Sequence, residues 1–203
     1  MKRIPGVFYA TLLIFGCVLL GACTTYKASS QVVFDLGELP PAHNNAGLPA
    51  MAVAEPNVPP WLDSFEMYYR LSYANDHQVR PYTNSRWSMP PLQLFEQRLK
   101  ASIAEAGGQV LSSTENANNV PLVLHIDADD FTQIFDSPEH SNGQISLRVS
   151  VFNLRNLVAQ KTFSRQAGAA SSDASGGAKA LSTASDATIA DILQWLSELN
   201  LKK

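Results

Sequence analysis

The sequence predicts an α+β fold: a two-layer sandwich in which a mostly antiparallel sheet carries two main helices on one face. Three observations lead there. Apolar residues alternate with polar ones over 65–73 and again in three runs between 122 and 165, the period of half-buried strands. They recur at helical spacing over 92–106 and from about Ala178 onward. The order is strands, helix, meander, helix, and no repeat of 20–50 residues is visible.

Ahead of the fold stands a different kind of segment. Lys2 and Arg3 precede an apolar run from Ile4 to Leu20, which ends in Leu20-Gly21-Ala22-Cys23. Basic start, apolar middle and small-residue exit are the three parts of a secretory signal. The run is short for a membrane-spanning helix and carries Pro5 and glycines. Because it ends at a cysteine, it reads as a lipobox, with residues 1–22 removed and Cys23 lipidated as the mature N-terminus. An uncleaved anchor and a plain secreted protein are the alternatives. Several acyl chains at about 0.8 kcal/mol per buried methylene give stable anchoring. Cys17 leaves with the signal, so the mature chain has no free thiol for redox or metal chemistry.

Residues 23–30 then form the lipidated cysteine and a small, polar tether, and 31–203 form a single domain. The whole chain has 15 basic and 18 acidic residues; without Lys2 and Arg3 the balance is 13 to 18, a formal charge of −5. An acidic chain with no basic block is a poor nucleic-acid binder, and it lacks a polybasic patch for anionic lipid.

Within the domain, Val32–Leu36 is a short strand stopped by Gly37, and Met51–Ala54 is a second. Pro56, Pro59 and Pro60 make a stiff, extended connection to Trp61-Leu62. Phe65, Met67, Tyr69, Leu71 and Tyr73 share one strand face; Glu66, Tyr68, Arg70 and Ser72 share the other. A polar loop is expected from Asn75 to Ser85. Pro90-Pro91 opens a helix bearing Leu92, Phe95, Leu99, Ile103 and Ala106 on one stripe, stopped by Gly107-Gly108. Leu122, Leu124, Ile126 and Ala128 alternate as a strand. Asn142-Gly143 is a turn signal before the strand Ile145–Val151. Asn153–Asn156 turns the chain into the strand Leu157–Arg165, and Ala167–Gly177 reads as a loop. Leu181, Ile189, Ile192, Leu196 and Leu199 then stripe the closing helix.

Dinucleotide, phosphate-loop, zinc-protease and nucleophile-elbow motifs are all absent from the sequence, so no catalytic residue and no cofactor are expected. His43, His77, His125 and His140 are scattered. His125, Asp127 and Asp129 alternate onto one strand face, a pattern that suits either a metal or a solvated face paired across to Arg148. The aromatic strand reads as core or as the lining of an apolar groove. Trp61, Tyr82, Arg86 and Trp87, large side chains without periodicity, are the candidate partner-contact residues; cover for a sheet edge is the other reading.

A resemblance joins these pieces. Phe34-Asp35-Leu36-Gly37, Pro60-Trp61-Leu62-Asp63 leading to Tyr69-Arg70-Leu71-Ser72-Tyr73, and Pro81-Tyr82 with Ser85-Arg86-Trp87-Ser88-Met89-Pro90-Pro91 resemble the ABC-type transport auxiliary lipoprotein family. Phe131–Asp136 and Leu157–Phe163 fit its second half. The resemblance implies a lipoprotein working beside an ABC permease and ATPase and an MCE-domain protein that bridges the periplasm, moving phospholipid-like molecules between membranes. It implies a docking role, a possible homo-oligomeric ring and no catalytic residues. Thr24 stands where Asp would signal inner-membrane retention, which favours the outer membrane. A structural envelope lipoprotein, binding cell wall or an outer-membrane protein without handling lipid, is the competing class.

Overall fold

The computed structural model describes residues 30–41, 47–111, 122–199 and 201; Cys23, its signal segment and His43 lie outside them. Among the described residues eight strands run in chain order with two helices: β1 (Val32–Phe34), β2 (Met51–Val53), β3 (Glu66–Leu71), β4 (Asn75–Trp87), α1 (Pro91–Glu105), β5 (Val110–Leu111), β6 (Leu122–Phe135), β7 (Ser141–Asn153), β8 (Asn156–Gly168) and α2 (Ala174–Glu198). The α+β class stands, but the sheet is mixed and curled into a half-barrel rather than the mostly antiparallel layer of a two-layer sandwich.

The mixture has a simple origin at β6. One of its edges is taken by β7 in a long antiparallel ladder, which continues into β8 through a tight hairpin. Its other edge is shared by two short strands in line: β2 pairs at Val123 and Leu124, and β3 pairs at Gln133 to Phe135, both parallel. Between them Asn57 bridges Asp127, so the proline-rich connection follows β6 from one to the other. β5 adds parallel to β2, β4 antiparallel to β3, and β1 parallel to β4. Four of these seven strand pairings are parallel; the three that involve β5 or β6 are so because α1 carries the chain back to start β5 and β6 in the direction of β2 and β3.

The expected polar loop after residue 75 is instead β4, which folds back on β3 through Ser72–Ala74. Most of β4 is exposed, so it carries no apolar alternation. Pro81, which lacks a ladder N–H, sits opposite Tyr68 beside a register shift, where a proline is tolerated.

Asn142-Gly143 is likewise not a turn. Both residues lie inside β7, and a Cβ on Gly143 would stand 2.5 Å from the backbone nitrogen of Leu181. The glycine lets α2 press against the sheet. The turn itself is Asp136–His140, closed by Asp136 N–H to His140 carbonyl at 3.1 Å.

The stretch read as a loop to Gly177 contains the first turn of α2. Asp173 caps it, accepting from the Gly176 N–H at 2.8 Å. That bond, with the Ser171 hydroxyl, holds the Asp173 carboxyl below its ordinary range.

The core forms one cluster. Leu92, Phe95, Leu99 and Ile103 of α1 and Leu181, Ile189, Ile192 and Leu196 of α2 meet alternate residues of β6 and β7. Each fully buried side chain of this size stabilises the fold by roughly 1.5–3 kcal/mol. At one corner Arg98 of α1, 7% exposed, forms a bidentate pair with Asp186 of α2 at 2.5 and 3.0 Å. It also donates to the carbonyls of Gly37 and Glu38, so one guanidinium ties both helices to the segment after β1.

Candidate functional site

The outward face of β3 and its neighbours carries a strip of aromatic and arginine side chains. Period two sends Met67 inward, to full burial, and Glu66, Tyr68 and Arg70 outward. A turn at Pro59–Leu62 sets Trp61 beside them, its ring edge-on to Tyr68 at 5.4 Å. The Arg70 guanidinium lies 5.8 Å from the Trp61 ring centre, a cation–π contact. Tyr68 donates to Glu66 at 2.6 Å; partial burial and that carboxylate push its phenol up.

Across the next strand, Glu66 stands in register with Arg86, and Arg86 with Val33 of β1. The Arg86 guanidinium approaches the half-exposed Phe65 ring at 6.0 Å. The strip therefore runs from Trp61 to Val33 over three strands. Ring contacts join Trp61, Tyr68 and Arg70 at one end of it and Arg86 with Phe65 at the other, which limits their side-chain freedom.

The four candidate contact residues divide between the two faces, because a register shift in the β3–β4 ladder reverses the alternation of β4 between Tyr82 and Arg86. Trp61 and Arg86 are on this strip. Trp87, one residue on from Arg86, points inward; it is 1% exposed and packs edge-on to Phe131 at 5.7 Å. Tyr82 also turns inward, 4.7 Å from Tyr69, and donates to Gln133 Oε1 at 2.8 Å. Burial raises its phenol pKa well above the ordinary value, with Tyr69 and the Asp173 carboxylate adding to the shift. Tyr68 and Arg70 belong to the strip although the sequence reading did not single them out. Their signal was there: they share the strand face opposite Met67.

His125, Asp127 and Asp129 occupy a solvated face. Asp127 accepts from Asn57 at 2.8 Å and faces Arg148 at 3.6 Å, as the cross-strand pairing anticipated. The His125 ring lies edge-on to Phe152 at 5.1 Å. Asp129 falls at the register shift between Ala128 and Asp130. Among the described residues no three His, Cys, Asp or Glu side chains are grouped to hold a metal. His77 is exposed on β4, and His140 meets Ser137 in the turn before β7 at 3.2 Å.

A concavity lies between the segment that begins with β1 and the first half of α2. It is an open groove of about 420 Å³, with Val33, Phe34 and Leu36 on one wall and Ala178, Lys179 and Ser182 on the other.

These elements build a half-barrel with an aromatic–arginine face and an open groove beside α2. The model of the family described as ABC-type transport auxiliary lipoprotein component matches residues 35–193, and the chain belongs to that family. It is a family of transport auxiliaries and not a known family of enzymes. No curated protein sequence matches the chain significantly. Among solved structures, protein XCC0632 from Xanthomonas campestris is similar at 18% identity and a TM-score of 0.65, covering 85% of this chain and 89% of that one. The hypothetical protein CT253 from Chlamydia trachomatis is similar at 8% identity and a TM-score of 0.53, covering 77% of this chain and 99% of that one. At these identities the likeness is one of fold.

Proposed function

We propose that the protein is an outer-membrane lipoprotein, anchored through Cys23 and facing the periplasm, that docks an ABC–MCE phospholipid transport system. Residues 1–22 are its signal peptide, 23–30 its acylated cysteine and tether, and 31–203 its one folded domain. The ABC permease and ATPase supply the energy, and an MCE-domain protein spans the periplasm to meet this domain. Thr24 after the cysteine supports the outer-membrane assignment.

The observation that carries the docking role is the strip from Trp61 to Arg86. Tryptophan, tyrosine and arginine are enriched at binding hot spots; here Arg86 is exposed, and Trp61, Tyr68 and Arg70 are half-buried and in contact with one another. Trp61 and Arg86 make the contact, with the MCE partner or between protomers of a ring. Tyr82 and Trp87 act from inside, fixing the β4 strand that presents Arg86. A pull-down with the mature domain tests the reading. Recovery of the MCE protein by the native chain, and its loss with Trp61→Ala plus Arg86→Ala, is the expected result. Recovery of peptidoglycan or an outer-membrane protein alone would replace it with the structural-lipoprotein reading.

A further inference from the structure

The groove between β1 and α2 combines two chemistries. Its floor is aliphatic and aromatic: Leu36 and Ala178 are nearly buried, while Val33 and Phe34 form the wall above them. Its α2 rim carries the exposed ammonium of Lys179 and the hydroxyl of Ser182. Asp35, also at the rim, is turned onto the Gly37 N–H at 2.7 Å. The walls are fixed rather than adaptable. Ser182 donates to the Leu36 carbonyl, and Arg98 holds the Gly37 and Glu38 carbonyls at 3.0 and 2.8 Å.

We infer that this groove binds one acyl chain of a glycerophospholipid, with the phosphate at Lys179. An apolar β1 wall facing a polar α2 rim with one exposed lysine matches an amphiphilic anion, and the volume lies in the range of small-ligand sites. The source of the ligand follows from chain length. Seven residues, 24–30, separate Cys23 from the domain, a span of at most roughly 25 Å when fully extended. An anchored domain on so short a tether keeps the groove beside the bilayer. The inference rests on the proposed anchoring for its supply of lipid, not for the site itself.

Residues 31–203 contain the whole core cluster, so this domain is suitable for the test without its anchor. Calorimetric titration with dihexanoylphosphatidylglycerol, below its micellar concentration, should show saturable binding at one site. Thr183→Trp, at an exposed position on the α2 rim, fills the groove and should weaken binding at least tenfold with an unchanged melting temperature. Lys179→Glu, at an exposed position, should weaken the phospholipid similarly but leave dihexanoylglycerol, which has no phosphate, unaffected. No saturable binding, or equal binding by both variants, would overturn the site. Binding of free glycerol phosphate as tight as that of the lipid would overturn the acyl assignment. Because the domain is unanchored here, none of these results depends on whether Cys23 is acylated.

Discussion

Tyr82 and Gln133 are joined across the sheet by a 2.8 Å hydrogen bond, phenol to amide oxygen, inside a pocket closed by the first turn of α2. Gln133 is fully buried, and its amide nitrogen donates to Ser141 at 2.8 Å and to the Asp173 carbonyl at 3.2 Å. One side chain thus ties β4, β6, β7 and the start of α2. Tyr82→Phe removes the donor and leaves the amide oxygen buried, so it should cost about 1–3 kcal/mol in urea unfolding.

The same pair sets an alkaline limit. Burial holds the Tyr82 phenol protonated in the folded state above the ordinary value of 10.0. The unfolded chain therefore loses this proton first as pH rises, and stability falls above pH 10. Below that value the contribution is fully present. Between pH 10 and the folded pKa, native protein should lose stability with each pH step, and Tyr82→Phe should flatten that slope. An unchanged slope would remove Tyr82 from the account.

Gly177 belongs to the same junction. A Cβ there would lie 2.0 Å from Gln133 Oε1, and one at Gly143 would lie 2.5 Å from Leu181 N. Gly177→Ala and Gly143→Ala should each destabilise the domain by about 1–3 kcal/mol or more through overpacking. Gly143→Ala is the harsher change, since its obstacle is backbone.

Arg98 offers a test of how the N-terminal segment is held. Arg98→Ala leaves Asp186 without its partner and frees the Gly37 and Glu38 carbonyls, at a cost of about 3–5 kcal/mol. Amide exchange at Leu36–Glu38 should accelerate more than exchange in β7. Uniform acceleration would mean that the segment is not held locally.

Trp61 and Trp87 should behave oppositely. Trp87→Ala empties a core site and should cost about 3–5 kcal/mol. Trp61→Ala with Arg86→Ala should change melting temperature far less while abolishing partner capture.

Where burial is one-sided and the strand regular, the sequence was easily read. The stripe Leu92–Ile103 and the alternation Leu122–Ala128 are buried as their spacing requires. Beyond Ala128 the alternation changes phase: Phe131 and Phe135 face the core where even numbers did before, because Asp129 is the extra residue of a bulge. That phase change hid the second half of β6. β4 was hidden because most of its residues are exposed and only Tyr82 and Trp87 reach the core, too few to make an alternation. Gly143 and Gly177 were read as chain breakers, although each marks a close approach that only the tertiary fold creates. The parallel pairings of β2 and β3 with β6 have no local signature. Of the candidate site, Trp61 and Arg86 were legible as large side chains in an irregular stretch. Their separation from Tyr82 and Trp87 required the register of β4.

The central claim, that the outward strip docks the MCE partner, is tested most directly by cross-linking in cells. A photoreactive benzoylphenylalanine in place of Arg86 should yield an adduct containing the MCE protein, while the same probe in place of Gln160 on β8 should not. Adducts with outer-membrane or cell-wall components alone, or the same MCE adduct from both positions, would contradict the account.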